Sequence, residues 1–200
     1  MEGLEYPEGK GHCELGEPIM AIQIEKKFQV KEPVDQVWSL LSDPKRVATC
    51  VPGAKITEQV DEKNYKGTIT VRVGPSATDY KGELEIVRLD PTNHELEMIG
   101  KGQDVSGRGS ASMKMTAKAA SLQDGGTEVT SLAEVNVVGI LAQMGSRMIN
   151  EVSNILFAQF IKNFQAQLEQ PAGAVPAEAK PLSAASVAWA AAKGAFHHDS

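Results

Sequence analysis

Histidines, cysteines and paired carboxylates are where hydrolytic or metal chemistry would start, and in this chain of 200 residues they are scattered. The four histidines are His12 in a polar N-terminal stretch, His94 at a turn, and His197 and His198 beside Asp199. None falls where a closed pocket is expected, and the terminal pair reads as solvated rather than as a metal site. Glu83, Glu85, Glu95 and Glu97 alternate along two strand-like runs, which puts them on a wet face. Neither a GxSxG elbow nor a P-loop occurs. Gly100, Gly102, Gly107 and Gly109 look like a phosphate loop in composition only. No helix follows them to present its N-terminus to an anion, so they read as bends in a curved sheet. Asp104 and Arg108 flank that bend and read as a structural pair. The expectation is no catalytic residue, no metal-ligand set and no covalent cofactor.

The chain collects soft apolar side chains instead. It has seven methionines. Apart from Met1 and Met20 these are Met98, Met113, Met115, Met144 and Met148; the strand period puts Met113 and Met115 on one face, the helix period puts Met144 and Met148 on another, and Met98 stands by itself on a separate strand. Thioethers fill irregular space and adapt to varied apolar guests. Gly100 and Gly102 lie in phase with Met98, and Gly107, Gly109 and Ala111 with Met113. Small residues on a covered face leave volume unfilled where interiors normally pack densely, so they argue for a guest. Tyr65, Tyr80 and Ser131 share the covered faces and could offer hydrogen bonds to it.

The elements that hold these residues can be read in order. A polar extension over 1–19 precedes a domain spanning 20–170. Ile22, Ile24, Phe28 and Val30 make a first strand. Pro33 opens a helix whose apolar face is Val34, Val37, Trp38 and Leu41; it stops at Asp43-Pro44, and a short helical turn runs to Val51-Pro52-Gly53. Strands follow at 64–73, 80–89, 94–102, 108–122 and 127–138, the last two joined by Asp124-Gly125-Gly126, a hairpin signal. From Ile140 to Glu169 the chain reads as one helix of about eight turns. This is an α+β pattern, a curved antiparallel sheet wrapped around a long C-terminal helix. The cavity it implies is lined by Tyr65, Ile69, Val71, Tyr80, Leu84, Met98, Gly100, Ala111, Met113, Met115 and Ser131 from the sheet. The helix contributes Met144, Met148, Val152, Leu156 and Phe160. An Ala/Pro-rich linker over 171–181 leads to a tail over 182–200. There Leu182, Trp189 and Phe196 recur every seventh residue and suggest contact with a membrane surface or a partner.

Composition narrows the classes further. The net charge is −6, and most of it comes from the first twenty residues, with five glutamates against one lysine. The rest is near neutral and shows no basic stripe for nucleic acid. Cys13 and Cys50 have no CxxC or Cys/His spacing and read as free thiols of a reducing compartment. Neither a signal-peptide pattern nor a run of about 20 apolar residues is present. The expected location is the cytoplasm, with peripheral attachment to the inner face of the cell membrane.

A resemblance runs through the motifs. Val37-Trp38 with Leu41, Asp43-Pro44, Val47-Ala48 and Cys50-Val51-Pro52-Gly53 resemble the N-terminal signature of the carbon monoxide dehydrogenase G-subunit family. Tyr65-Lys66-Gly67, Val73-Gly74-Pro75, Tyr80-Lys81-Gly82, Gly100-Lys101-Gly102 with Asp104, Gly107-Arg108-Gly109 and the run 139–145 continue it, over roughly residues 22–168. The resemblance implies the helix-grip fold of the START/polyketide-cyclase superfamily. It also implies a non-catalytic accessory role for a molybdenum-containing CO dehydrogenase, or a related molybdenum hydroxylase, linking it to the membrane. In that context the expected guest is a respiratory quinone, menaquinone or ubiquinone. The alternatives are a membrane tether without a ligand, and a cyclase- or hydrolase-like enzyme on the same fold.

Overall fold

The computed structural model describes residues 19–73, 76–143 and 145–170. Seven strands form one antiparallel sheet: β1 (Ile19–Val30), β2 (Ala54–Gln59), β3 (Asn64–Val73), β4 (Ser76–Asp90), β5 (Glu95–Asp104), β6 (Gly109–Ser121) and β7 (Thr127–Gly139). Their order is β1-β7-β6-β5-β4-β3-β2, so every neighbour is a sequence neighbour except where β7 returns to pair with β1. Two helices, α1 (Val34–Leu41) and α2 (Pro44–Cys50), connect β1 to β2 at the opposite edge. A single turn, α3 (Ile140–Gln143), and the long α4 (Gly145–Leu168) follow the sheet.

Local chemistry accounts for the elements. Pro33 occupies the N-cap of α1 rather than its first turn, and the helix is eight residues long, the span of its apolar face from Val34 to Leu41. Asp43 caps α2: its Oδ1 accepts from the backbone N–H of Lys45 at 3.0 Å and of Arg46 at 3.2 Å, with Pro44 at the first helical position. Such a cap contributes about 1 kcal/mol. β2 was not anticipated from the sequence. Its six residues are mostly exposed, and it forms by pairing with β3 rather than through strong alternation of its own.

The expected single C-terminal helix is broken. Gly145 has φ +79°, which a continuing right-handed helix cannot accommodate, and the chain restarts there as α4. Gly107 also departs from expectation. It lies in the β5–β6 turn with φ +72° instead of in phase with Met113.

The close-packed core sits at one end of the sheet. Val37, Leu40, Cys50 and Phe164 are fully buried there, with Trp38, Leu41, Leu96, Ala119, Val129 and Leu168 around them. Phe28 meets Phe157, Phe160 and Phe164 edge-on at centroid distances of 5.8, 6.2 and 5.6 Å. The C-terminal part of α4 is fixed at this end by three polar contacts. Asn163 Nδ2 donates to the Cys50 carbonyl at 2.9 Å, Gln167 Nε2 to Thr49 Oγ1 at 2.7 Å, and Gln36 Nε2 to the Leu168 carbonyl at 2.8 Å. Only Phe164, Gln167 and Leu168 of α4 are buried. The apolar stripe expected to be gripped along its whole length is therefore covered only at that end.

A concave face with an open half

Strand register gathers the methionines. One cross-strand row runs Ile24, Ala133, Met115, Met98 and Ile86; the next runs Ile22, Val135, Met113, Gly100, Leu84 and Tyr65. A third carries Val137, Ala111, Gly102, Gly82 and Gly67, with Ile69 and Val71 beyond it on β3. All face the side on which α4 lies. Met98, Gly100, Ala111, Met113, Met115, Leu84, Ile69 and Val71 are half-buried, not sealed. Val152, Leu156 and Phe160 of α4 are half-buried too, while Met148 is 40% exposed. What lies between sheet and helix is an apolar trough beside the core, open along the first half of α4.

The glycines divide into two kinds. A Cβ at Gly100 would meet only Met113 Cε, at 3.7 Å, and one at Gly102 only ordinary contacts from 3.7 Å outward. These two leave space. By contrast, a Cβ at Gly67 would lie 2.6 Å from the Lys55 carbonyl oxygen, at Gly82 2.2 Å from that of Lys101, and at Gly109 2.2 Å from that of Val138. These three permit the sheet to bend and hold no room for a guest.

The polar groups of the trough are few. Tyr65 Oη donates to the Glu62 carbonyl at 3.2 Å and accepts from Gln59 Nε2 at 3.4 Å, so its proton is already committed. Tyr80 is 4% exposed, and its hydroxyl has no hydrogen-bond partner among the described residues. Burial, and then the nearby Asp104 carboxylate, push its pKa above the usual phenol value, so it stays a neutral donor. Ser131 Oγ leans on the Lys26 carbonyl at 3.5 Å.

Lys26 itself was missed in the sequence, although the alternation of Ile22, Ile24, Phe28 and Val30 places it inward. Among the described residues it is the only lysine or arginine in phase with the covered face of the strands. Its Nζ donates to Asn154 Oδ1 on α4 and lies 5.5 Å from the centroid of Phe157.

Asp104 is the one acid on that face among the described residues, and it is spoken for. Arg108 Nε donates to its Oδ2 at 3.1 Å and the Ser106 N–H to its Oδ1 at 2.9 Å. The backbone bond from Ser106 and the Arg108 guanidinium hold its carboxyl below the usual range, which is the structural turn the sequence suggested. His94 packs on Trp38 with centroids 5.5 Å apart and faces Asp35 at 3.7 Å, away from the trough. No cluster of three or more metal-ligating side chains occurs among the described residues. No described helix is long and apolar enough to cross a membrane. Met144 and the tail residues Leu182, Trp189 and Phe196 lie outside the described residues.

The sequence pattern of the carbon monoxide dehydrogenase G-subunit (CoxG) family matches residues 27–169, which takes in all the helices and every strand but the first part of β1. The chain belongs to this family. The family's name places it beside a carbon monoxide dehydrogenase as an accessory subunit. Solved structures agree on the fold, the helix-grip arrangement of START-like proteins. A conserved protein from Geobacillus kaustophilus is similar at 24% identity and a TM-score of 0.67, covering 74% of this chain and 95% of its own. The Zhui aromatase/cyclase from Streptomyces sp. R1128 is 17% identical, with a TM-score of 0.56 over 78% of this chain and 100% of its own. A START superfamily protein from Mycobacterium smegmatis is 10% identical, with a TM-score of 0.53 over 74% and 97%. No curated protein sequence matches this CoxG-family chain.

Proposed function

We propose that this CoxG-family protein is a non-catalytic carrier that binds an apolar lipid of the quinone type in the trough and links a carbon monoxide dehydrogenase to the membrane. The observation that carries the reading is the half-open concave face. Three methionines, Ala111 and Gly100 form its floor, and the few polar groups beside it include the free hydroxyl of Tyr80 and the ammonium of Lys26. Apolar surface left uncovered costs about 25 cal/mol per Å² relative to burial, so a flat apolar guest would be retained there. A quinone also carries two carbonyl acceptors, which suits a site rich in carbon with a few donors. The electrons released by CO oxidation have to reach a lipid-soluble pool, and a carrier shields such a molecule from water on the way. The protein would work in the cytoplasm at the inner face of the membrane, with the tail residues Leu182, Trp189 and Phe196 making the membrane contact.

An aromatase/cyclase among the structural neighbours makes an enzyme the second reading. It would need a poised acid or base in the trough. The one acid there, Asp104, is saturated by Arg108 and Ser106 and held ionised, which disfavours that role. The test is organic extraction of the protein purified without detergent, followed by mass spectrometry, and titration of the stripped protein with menaquinone and ubiquinone. Co-purification or saturable uptake of a quinone is the expected result. A stripped protein that takes up neither quinone would leave the tether reading in its place.

A further inference from the structure

Of the donors Tyr65, Tyr80, Ser131 and Lys26 on the covered face, all but Tyr80 are engaged within the protein. Tyr65 is held by Glu62 and Gln59, Ser131 by the Lys26 carbonyl, and the Lys26 ammonium by Asn154 and the ring of Phe157. The Tyr80 hydroxyl has no partner among the described residues, although the side chain is buried. A buried tyrosine usually finds its O–H a partner. Nor is this oxygen sealed in. Among the described residues Arg72 Nε is the one fully buried side-chain N or O atom without a partner, so the unpartnered Tyr80 oxygen is open to an incoming molecule.

Position gives that hydroxyl a place in the trough. Tyr80 is in register with Asp104, at the end of β5 away from the close-packed core. A Cβ at Gly102 would lie 3.7 Å from Tyr80 Cβ and 3.9 Å from its Cδ1, so the ring borders that glycine. From there the covered face runs through Gly102 and Ala111, then Gly100 and Met113, then Met98 and Met115, to Leu96 and Ala117 in the core. Asp104 to Leu96 spans eight residues of β5, about 26 Å at ordinary strand rise. Lys26 stands at the far end, level with Ala117 and Leu96, and its ammonium is spent on α4. The trough therefore has a free donor at one end, small and soft side chains along its length, and a closed core at the other.

Asp104 decides what kind of head can sit at the donor end. Its buried carboxyl is held ionised by the Ser106 N–H and by Arg108. An anionic head would meet a like charge there, whereas a neutral carbonyl only needs the phenol's proton. On the carrier reading, we infer that Tyr80 anchors the guest's head by donating to a neutral carbonyl oxygen. The tail lies over Gly102, Gly100 and the methionines, and amphiphiles with an anionic head are refused.

Tyr80→Phe tests this, since it removes the oxygen and keeps the ring. Stripped full-length parent and variant are titrated with decylubiquinone and with decylbenzene, which has the tail and no carbonyl. The variant should bind decylubiquinone about three- to tenfold more weakly, the size of one hydrogen bond, and decylbenzene as the parent does. The stripped variant should melt with the parent, because the hydroxyl bonds nothing in the empty protein. In the parent, methyl dodecanoate should displace decylubiquinone at concentrations where dodecanoate does not. Irradiated 4-decylbenzophenone, which attaches through its ketone carbon, should label peptides around Tyr80 and Gly102. Equal decylubiquinone binding by parent and variant, a large drop in the variant's Tm, displacement by dodecanoate as effective as by its ester, or label around Phe28 and Phe157 would overturn the anchor and leave the carrier standing. A parent that takes up no decylubiquinone would overturn both.

Discussion

Two glycines on one face give predictions of opposite sign. At Gly82 an added methyl would lie 2.2 Å from the Lys101 carbonyl oxygen, against 3.4–4 Å for an ordinary contact. The β4–β5 ladder must open by about 1 Å to admit it, and overpacking of that kind costs about 1–3 kcal/mol. For a domain of this size each kcal/mol moves Tm by about 2–4 °C, so Gly82→Ala should melt about 2–12 °C below the parent. At Gly100 the same methyl meets only the flexible end of Met113 at 3.7 Å. Reduced freedom of the unfolded chain should then stabilise Gly100→Ala by about 0.4–1 kcal/mol. Gly100→Leu reaches into the trough and should keep the parent Tm while losing bound lipid. Thermal unfolding by circular dichroism, paired with lipid quantified in an organic extract, reads both effects. A Gly82→Ala protein that melts with the parent would show that the bend does not need glycine. A Gly100→Leu protein as unstable as Gly82→Ala would show a filled core and end the carrier argument.

Four further outcomes are expected. Lys26→Met removes the donor to Asn154 and should weaken quinone uptake in titration while shifting Tm by only a few degrees, since a partly exposed hydrogen bond contributes about 1 kcal/mol. Asp104 has a depressed folded-state pKa, so its contribution is complete above the unfolded value near 4 and is lost as pH falls through the folded value; Asp104→Asn should flatten the acid limb of a stability–pH curve below about pH 4. Burial pushes the Cys50 thiol up to about 11, so peptide mapping after iodoacetamide treatment at pH 8 should find Cys50 unmodified until the protein is unfolded. Deleting residues 181–200 should leave the melting temperature unchanged and reduce co-sedimentation with liposomes, with Trp189→Ala giving part of that loss; equal pelleting of full-length and truncated protein would move the tail's role to the dehydrogenase.

Much of this was legible because period-2 alternation fixes which face a side chain takes. Met113 and Met115 could be placed on one face from spacing alone, and Met98 in phase with Gly100 and Gly102; that Met98 lies beside the other two comes from the strand register. The Asp104–Arg108 turn was legible for a similar reason, since an acid four residues before a base around glycines has few other uses. What could not be read were features set by tertiary contact. β2 exists because β3 offers it an edge, and Gly145 breaks the last helix in a context where an isolated glycine is often tolerated. Lys26 was passed over because a charged residue in an apolar run reads as an outward one. The length of α4 suggested full burial, but how much of a helix is covered depends on where α1 and α2 stand, and only its last turns reach them.

Buried side chains of α4 hold it at its C-terminal end, while its N-terminal end is joined at the Gly145 break to α3, whose Ala142 is buried. Among the described residues the N-terminal half of α4 has no buried side chain to hold it, and the Lys26–Asn154 contact is its one side-chain hydrogen bond to the sheet. Amide hydrogen exchange should therefore be graded along a single helix, slow near Phe164 and fast towards Gly145, because local opening needs less free energy where less surface is packed. A helix packed at one end and hinged at Gly145 at the other also sets no fixed upper size for what lies beneath it. Guests with the same head and different chain lengths would be admitted by bending the free half, leaving the core at the clamp unaltered.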